Sequence, residues 1–370
     1  MPRPDSWEKA AGTARFAGDI RLGGMLYGKV LRPPAHGAKL KSVDLSAARA
    51  VAGVRILQDG DFIGAVHPQP DQAEKAISLI KAEFEIPATA VDETDIHQRL
   101  LAFPSRESVV ERRGDLAQGK AAARLWFEET YLTPYVAHAP METHSALAQV
   151  EKDSATLWVG TQRPFGAQEE IARLLGLPSD KVRIVTPYVG GGFGGKSAIG
   201  QAVQAARLSR MASCPVQVVW DRQEEFFYDT FMPAAAVKIA SGLDPSHRIA
   251  FWDYRVFFAG DRSSQNFYDV AHSQSLAYGG WSGSPAGPHF FAVGAWRGPG
   301  SNTNIFARES HIDEMAARIG MDPVAFRLKN LSDKRMIRVL RAAAEKFGWK
   351  PAQSPSRCGH GVVCLDYLGT

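Results

Sequence analysis

A glycine-rich loop carries the strongest local chemical signal in the chain. It reads Gly190-Gly191-Gly192-Phe193-Gly194-Gly195-Lys196-Ser197 and satisfies the phosphate-loop pattern G-x-x-x-x-G-K-[ST]. A predicted strand at 182–185 precedes the loop, and a predicted helix at 199–211 follows it. Backbone N–H groups in such a turn can surround an anion at the start of a helix. On pattern alone, the loop fits a P-loop NTPase, and it fits equally well a glycine-rich turn that is needed only for packing.

Two observations weaken the NTPase interpretation. Five of the eight loop residues are glycine and one is phenylalanine, a composition that lets a large flat ligand approach the backbone closely. Only 25 positions separate Lys196 from Asp221, the carboxylate that follows the next apolar strand, which leaves room for a single helix. No later segment has the pattern of further strands in a parallel NTPase sheet.

Short motifs spread along nearly the whole chain are more specific than the loop alone. They are Gly12–Ile20, Leu31–His36, His138–Glu142, Val159–Pro164, Leu175–Pro178, Val189–Lys196, Asp221–Phe226, Ala295–Gly300, Glu309–Ala316, Gly320–Pro323 and Arg327–Leu331. In these segments, and in their order, the chain resembles the molybdenum-binding subunit of the xanthine dehydrogenase/aldehyde oxidase family, the molybdenum hydroxylases.

This resemblance implies a function. The family binds molybdenum through a pterin cofactor, hydroxylates an electron-poor carbon with oxygen from water, and passes electrons through iron–sulfur clusters to a flavin. We therefore expect an oxidoreductase subunit that binds molybdopterin, in its cytosine dinucleotide form, and acts on a small N-heteroaromatic or aldehyde substrate. The resemblance places the 2Fe-2S clusters and FAD on partner subunits of a heteromeric complex, together with a second molybdopterin-binding subunit that carries the catalytic Glu.

The resemblance also assigns roles to individual residues. Gln162 matches the catalytic glutamine whose amide donates to an oxo ligand of the metal, a role that suits a neutral donor; its structural alternative is a polar residue at a strand end. The residues that match cofactor-binding positions are Gln162, Gly192, Phe193, Gly194, Ala295, Trp296, Arg297 and Gly298. Ser197 and Pro299 match substrate positions, and Ser197 replaces the acidic residue of xanthine-oxidising members. No residue is assigned as a metal ligand.

The elements that must position these residues predict an α+β fold. We expect a small hammerhead-like α/β domain at residues 5–88, a linker at 89–124, and the first half of a molybdopterin-binding domain of mixed sheets and helices at 125–370. In the last segment, the pattern predicts a helix at 165–175 closed by Gly176 and a helix at 306–319. Residues 242–290 read as loop-rich, and residues 361–370 read as a strand without its partners, which suggests that another polypeptide supplies the second half.

Composition narrows the partners. The 370 residues include 43 Lys and Arg against 39 Asp and Glu, a net charge of +4, and no basic run, so we expect no nucleic-acid partner. Apolar runs fall short of the ~20 residues of a membrane helix, and no signal peptide is evident. Three cysteines fit a cytoplasmic protein and are fewer than an iron–sulfur cluster needs.

Two further interpretations remain open from the sequence. His138, Glu142 and His144 are residue types found in metal sites, although their spacing on an extended stretch is more typical of structural residues. A cofactor-free scaffold subunit is the remaining alternative to the hydroxylase and the NTPase, and the presence of Gln162, Phe193 and Arg297 argues against it.

Overall fold

The chain folds into two compact units, each assembled from segments that are distant in sequence. The structure, a computed structural model, describes residues 3–88, 94–283, 287–350 and 359–366. Unit 1 comprises residues 1–90, 137–231 and 290–296, and unit 2 comprises residues 91–136, 232–289 and 297–370.

Strands and helices alternate along the chain, and both kinds of element are mixed in each unit, so the predicted α+β class is confirmed. In chain order, the strands are β1 (Leu26–Val30), β2 (Lys39–Asp44), β3 (Arg55–Asp59), β4 (Phe62–His67), β5 (Lys81–Glu85), β6 (Glu107–Arg113), β7 (Leu125–Thr133), β8 (Ser145–Val150), β9 (Ala155–Val159), β10 (Val182–Val185), β11 (Val216–Val219), β12 (Ala235–Leu243), β13 (Ile249–Phe257) and β14 (Ser273–Tyr278). The helices are α1 (Ser6–Ala10), α2 (Ser46–Arg49), α3 (Pro70–Ser78), α4 (Ile96–Ala102), α5 (Leu116–Ala122), α6 (Pro164–Leu175), α7 (Gly200–Ala212), α8 (Arg222–Tyr228), α9 (Ser301–Arg318), α10 (Pro323–Lys329) and α11 (Lys334–Phe347).

Unit 1 is organised by a mixed sheet. Within the described residues its strand order is β10-β9-β8-β11-β1-β4-β3, and β2 and β5 form a separate pair. β10 lies parallel to β9, and β11 lies parallel to β1, whereas the other neighbours are antiparallel. The sheet therefore joins the N-terminal segment, through β1, to the segment that carries the glycine-rich loop, through β11 and β8.

Two strand glycines let α7 pack closely on this sheet. A Cβ at Gly28 of β1 would lie 2.7 Å from a Leu208 methyl group, and one at Gly64 of β4 would lie 2.6 Å from the other. Small residues on the facing side of the helix, Ala202, Ala205 and Ala206, are fully buried. Close packing of this kind fixes the start of α7, and with it the end of the loop that precedes the helix.

Unit 2 is built on a second mixed sheet, with the order β6-β14-β13-β12-β7 in the part of the chain that the structure describes. Helix α9 packs against β12 and β7, and its buried Glu309 accepts hydrogen bonds from Arg308, Arg327 and Tyr268. The backbone N–H of Cys364 also donates to Glu309, at 2.9 Å, and this bond ties residues 359–366 to the unit.

Most elements predicted near the loop are confirmed, and one region is wrong. Helix α6 ends at Gly176, which has φ 66° as a left-handed cap. The region 242–290, expected to be loop-rich, contains β13 and β14 and the end of β12. β13 is buried on both faces, so it shows no alternation of polar and apolar residues, and its neighbouring Gly and Ser residues dominated the pattern.

Two other segments differ from the sequence pattern. Residues 361–366 have no regular secondary structure, so this part of the predicted strand at 361–370 is wrong, and residues 367–370 lie outside the described residues. Residues 94–124, inside the predicted linker, form α4, β6 and α5, and β6 pairs with β14. No helix among the described residues is long and apolar enough to cross a membrane.

Candidate functional site

The glycine-rich loop connects β10 to α7 in backbone conformations that L-residues rarely adopt. Gly191 and Gly194 have φ values of 93° and 122°, and Phe193 has a φ of 55°. A turn closes where the N–H of Gly195 donates to the carbonyl of Gly192 at 2.9 Å. The Phe193 side chain is 41% exposed at the tip. A non-glycine residue held at positive φ and turned outward is a strained arrangement that commonly marks a functional turn.

Gln162, just after β9, is fastened to this loop by two hydrogen bonds. Its backbone N–H donates to the carbonyl of Lys196 at 2.8 Å, and its side-chain Oε1 accepts from the N–H of Gly194 at 3.0 Å. Because an N–H needs an acceptor, this bond fixes the amide orientation and turns the NH2 group away from Gly194. A Cβ at Gly192 would lie 2.6 Å from Gln162 Oε1, so glycine at that position allows the contact.

Several donors at this turn have no acceptor in the part of the chain that the structure describes. They are the N–H groups of Gly191 and Gly192 and the side-chain NH2 of Gln162. Gly192 is buried, and a buried N–H without an acceptor is uncommon in a folded protein. The turn therefore offers hydrogen-bond donors to a ligand rich in acceptors.

Lys196 occupies the lysine position of the phosphate-loop pattern, but it does not face a ligand. Its side chain is fully buried, and Nζ lies 2.5 Å from Glu142 Oε2. The same oxygen accepts the N–H of Gly190 at 2.7 Å, so Glu142 braces both ends of the loop. Helix α7 begins at Gly200 rather than at the lysine, and Asp221 caps α8 in a capping box. These contacts leave neither the lysine nor the carboxylate arranged for a nucleotide.

A second predicted segment reaches the same loop. A Cβ at Gly194 would lie 1.9 Å from the carbonyl oxygen of Ala295 and 3.1 Å from the nitrogen of Trp296, so the two backbones are in direct contact. The segment is held by the N–H of Gly294, which donates to the carbonyl of Phe231 at 2.8 Å. Unit 1 thus brings Gln162 and the loop together with the predicted Ala295–Trp296 segment.

The remaining predicted residues fall on both sides of the division between units. Ser197 is half-buried at the end of the turn, and its N–H donates to the carbonyl of Gly194 at 3.1 Å. Arg297, Gly298 and Pro299 belong to unit 2, immediately before α9. Arg297 is exposed with φ 33°, and Gly298 has φ 87°. A second run of left-handed backbone therefore stands at the N-terminus of a long helix.

Buried imidazole–carboxylate pairs lie beneath the loop, and the sequence did not predict their acidic partners. His138 Nδ1 lies 2.9 Å from Asp229 Oδ2 and its Nε2 lies 2.6 Å from the carbonyl oxygen of Ala295. Burial lowers the pKa of His138, but the bonds to Asp229 and Ala295 outweigh it and raise the pKa above its ordinary value. His144 Nδ1 pairs with Glu225 at 3.0 Å. The only sequence signal is that Glu225 and Asp229 are four residues apart at the end of a short helix.

Comparison with known proteins is consistent with this geometry. The profile of the molybdopterin cofactor-binding domain matches residues 102–277 and 288–331. One of the nicotinate dehydrogenase subunits of Pseudomonas putida is 30% identical over 96% of this chain. The aldehyde oxidoreductase molybdenum-binding subunit PaoC of Escherichia coli O157:H7 is 27% identical over 98% of it. The crystal structure of quinoline 2-oxidoreductase from Pseudomonas putida 86 matches 94% of the chain with a TM-score of 0.78 and 22% identity, a likeness of fold.

The chain spans only part of each of these proteins. It covers 32% of the Pseudomonas nicotinate dehydrogenase polypeptide, 56% of the Escherichia coli polypeptide and 54% of the quinoline 2-oxidoreductase chain.

Proposed function

Because the chain belongs to the molybdopterin cofactor-binding domain family, we propose that it is the cofactor-binding subunit of a multi-subunit molybdenum hydroxylase. The observation that carries the proposal is the arrangement of Gln162 against the glycine-rich loop. Its Oε1 is used by Gly194, and its NH2 group is left as a donor. A catalytic amide fixed at one end and free to donate at the other is what a preorganised site for an anionic oxygen requires.

The residues at the turn fit a molybdenum–pterin cofactor. The donors without an acceptor among the described residues, on Gly191, Gly192 and Gln162, suit the many oxygen and nitrogen acceptors of a pterin and its phosphate. Glycine at 192 and 194 keeps the backbone free of side chains that would fill the approach. Gly192, Phe193, Gly194, Ala295 and Trp296 would hold the cofactor from unit 1.

From unit 2, Arg297 and Gly298 would hold the same cofactor through the guanidinium group and through backbone N–H groups before α9. When bound, the cofactor supplies the redox chemistry and the transfer of oxygen from water. The protein's part is to orient it: Gln162 donates a hydrogen bond, and the Glu142–Lys196 pair keeps the loop in place. Ser197 and Pro299 would face the substrate.

The finer parts of the proposal extend beyond this chain. We propose an electron-poor N-heteroaromatic compound or an aldehyde as substrate, a choice supported by the names of the nicotinate and aldehyde relatives. The cofactor would be the cytosine dinucleotide form. The catalytic Glu would be on a second molybdopterin-binding subunit, and electrons would pass to a 2Fe-2S subunit and an FAD subunit in the cytoplasm. The division into domains at 5–88 and 125–370 belongs to the same proposal.

The sharpest test of the proposal is Gln162→Glu in the complete complex. Glutamate keeps an oxygen for the N–H of Gly194 but replaces the donating NH2 with an acceptor. We expect turnover to fall about 10²-fold, the cost of one lost donor in a preorganised site, while molybdenum content and the unfolding temperature are retained. The matched control is Gln118→Glu, the same change at an exposed position of α5. A Gln162→Glu enzyme that contains molybdenum and turns over like the wild type would refute the role of this amide.

A further inference from the structure

His138 is a buried side chain between two backbone segments, and acceptors face both of its ring nitrogens. Its side chain has no exposed area. Nε2 lies 2.6 Å from the carbonyl oxygen of Ala295, and a carbonyl can only accept, so Nε2 must carry a hydrogen. Nδ1 lies 2.9 Å from a carboxylate oxygen of Asp229, so it carries a hydrogen as well. The geometry therefore describes an imidazolium cation rather than a neutral ring.

The charges around the ring favour this cation. Asp229 is 7% exposed, and its second oxygen accepts the N–H of Thr230 at 2.7 Å. The titratable groups that face His138 are Asp229 and Glu225 at the end of α8 and, across Asp229, His144. The carboxylates of Asp229 and Glu225 already accept ring or backbone N–H groups, so the cluster is arranged as hydrogen-bonded pairs. Two buried anions beside the ring stabilise its positive charge.

The ring also contacts the glycine-rich loop. A Cβ at Gly195 would lie 2.8 Å from His138 Nδ1 and 2.4 Å from Asp229 Oδ2, so the loop backbone lies directly on the ion pair. The carbonyl that Nε2 holds is the one in contact with Gly194. One side chain thus supports the loop from below and pulls the Ala295 carbonyl against it.

We propose that His138 is a positioning residue which, as a doubly protonated ring paired with Asp229, clamps the Ala295–Trp296 segment to the glycine-rich loop and so sets the spacing of the two surfaces that hold the cofactor. The proposal rests on the proposed function for the cofactor itself. It assigns no contact between His138 and the cofactor or substrate, so the side chain acts through Gly194, Gly195 and Ala295.

Two substitutions separate the two halves of the clamp. In His138→Gln, the amide nitrogen takes the place of Nε2 and still donates to Ala295, whereas in His138→Asn it takes the place of Nδ1 and reaches only Asp229. In the complete complex, we expect His138→Asn to release molybdenum about tenfold faster than the wild type, as expected for one lost charge-assisted hydrogen bond. We expect His138→Gln to stay within about twofold of the wild type. Equal release rates for the two variants would overturn the proposal.

The pH dependence of the wild type gives a second readout that a purely structural role would not produce. A histidine whose folded pKa is raised contributes its stabilisation below its unfolded pKa and loses it as the pH rises through the folded pKa. We therefore expect molybdenum release from the wild type to accelerate as the pH rises above ~6.5, and we expect this step to be missing in His138→Gln. A wild type without that step would overturn the proposal even if both variants failed to fold.

Hydrogen exchange separates this proposal from the proposed function. We expect peptides covering 290–296 to exchange faster in His138→Asn than in His138→Gln, with or without molybdenum. A wild-type complex without molybdenum in which this difference persists would refute the proposed function and leave the clamp intact. Molybdenum in all three proteins without the difference would refute the clamp alone.

Discussion

At the scale of single residues, Lys196 decides between two functions that the sequence pattern leaves open. A phosphate-loop lysine must reach a nucleotide, whereas this side chain is fully buried and paired with Glu142. Nothing in the sequence pointed to Glu142 as its partner, because 54 positions separate the two residues and a pattern match considers only local spacing. The same limit hid Asp229 from the sequence, 91 positions from His138.

We expect Lys196→Met to be a stability variant rather than a nucleotide-binding variant. Removing one partner of a buried ion pair leaves the other charge uncompensated, so the free energy of unfolding should fall by about 3–5 kcal/mol. Lys196→Met combined with Glu142→Gln should recover part of that loss. The measurement is chemical unfolding, with the exposed Lys181→Met as the control. If Lys196→Met were as stable as the control, or if it abolished ATP binding shown by the wild type, this account of the pair would be wrong.

At the scale of elements, local signals predicted the site's framework and failed where burial removes them. The start of α6 at Pro164, its glycine cap and the strands β9 and β10 follow from short-range rules. β13 gave no such signal because most of its residues are buried. Of the candidate site, Gln162 and the loop came from the resemblance, and the structure joins them by the Gly194 hydrogen bond. Their positions in space depend on β8, β11 and α7, whose pairing is long-range.

The contact between the loop and the Ala295 segment predicts unequal effects at two left-handed glycines. Gly176→Ala, at φ 66° with open space around it, should lower the free energy of unfolding by about 1 kcal/mol from backbone strain alone. Gly194→Ala adds a Cβ 1.9 Å from a carbonyl oxygen, so the two backbones must separate. We expect this variant to lose molybdenum as well as stability. Measurements of unfolding and of molybdenum content on both variants check this, and a Gly194→Ala protein with full molybdenum content contradicts it.

At the scale of the whole molecule, the candidate site draws on chain segments that are far apart. The loop, Gln162 and Ala295 lie in unit 1, and Arg297 begins the last segment of unit 2, one residue after Trp296. The chain covers about half of the Escherichia coli relative. A complete hydroxylase site therefore needs residues beyond this chain, and the proposed second molybdopterin-binding subunit is where we expect the catalytic Glu.

The central claim is that this chain holds molybdenum through a pterin cofactor, and the metal content of the natively purified complex tests it most directly. The measurement combines elemental analysis, release of the pterin nucleotide, and native mass spectrometry of the subunits that co-purify. We predict about one molybdenum per chain, released cytidine monophosphate, and a second molybdopterin-binding polypeptide in the same complex. A folded, natively purified complex with neither molybdenum nor pterin would contradict the account and favour a cofactor-free scaffold.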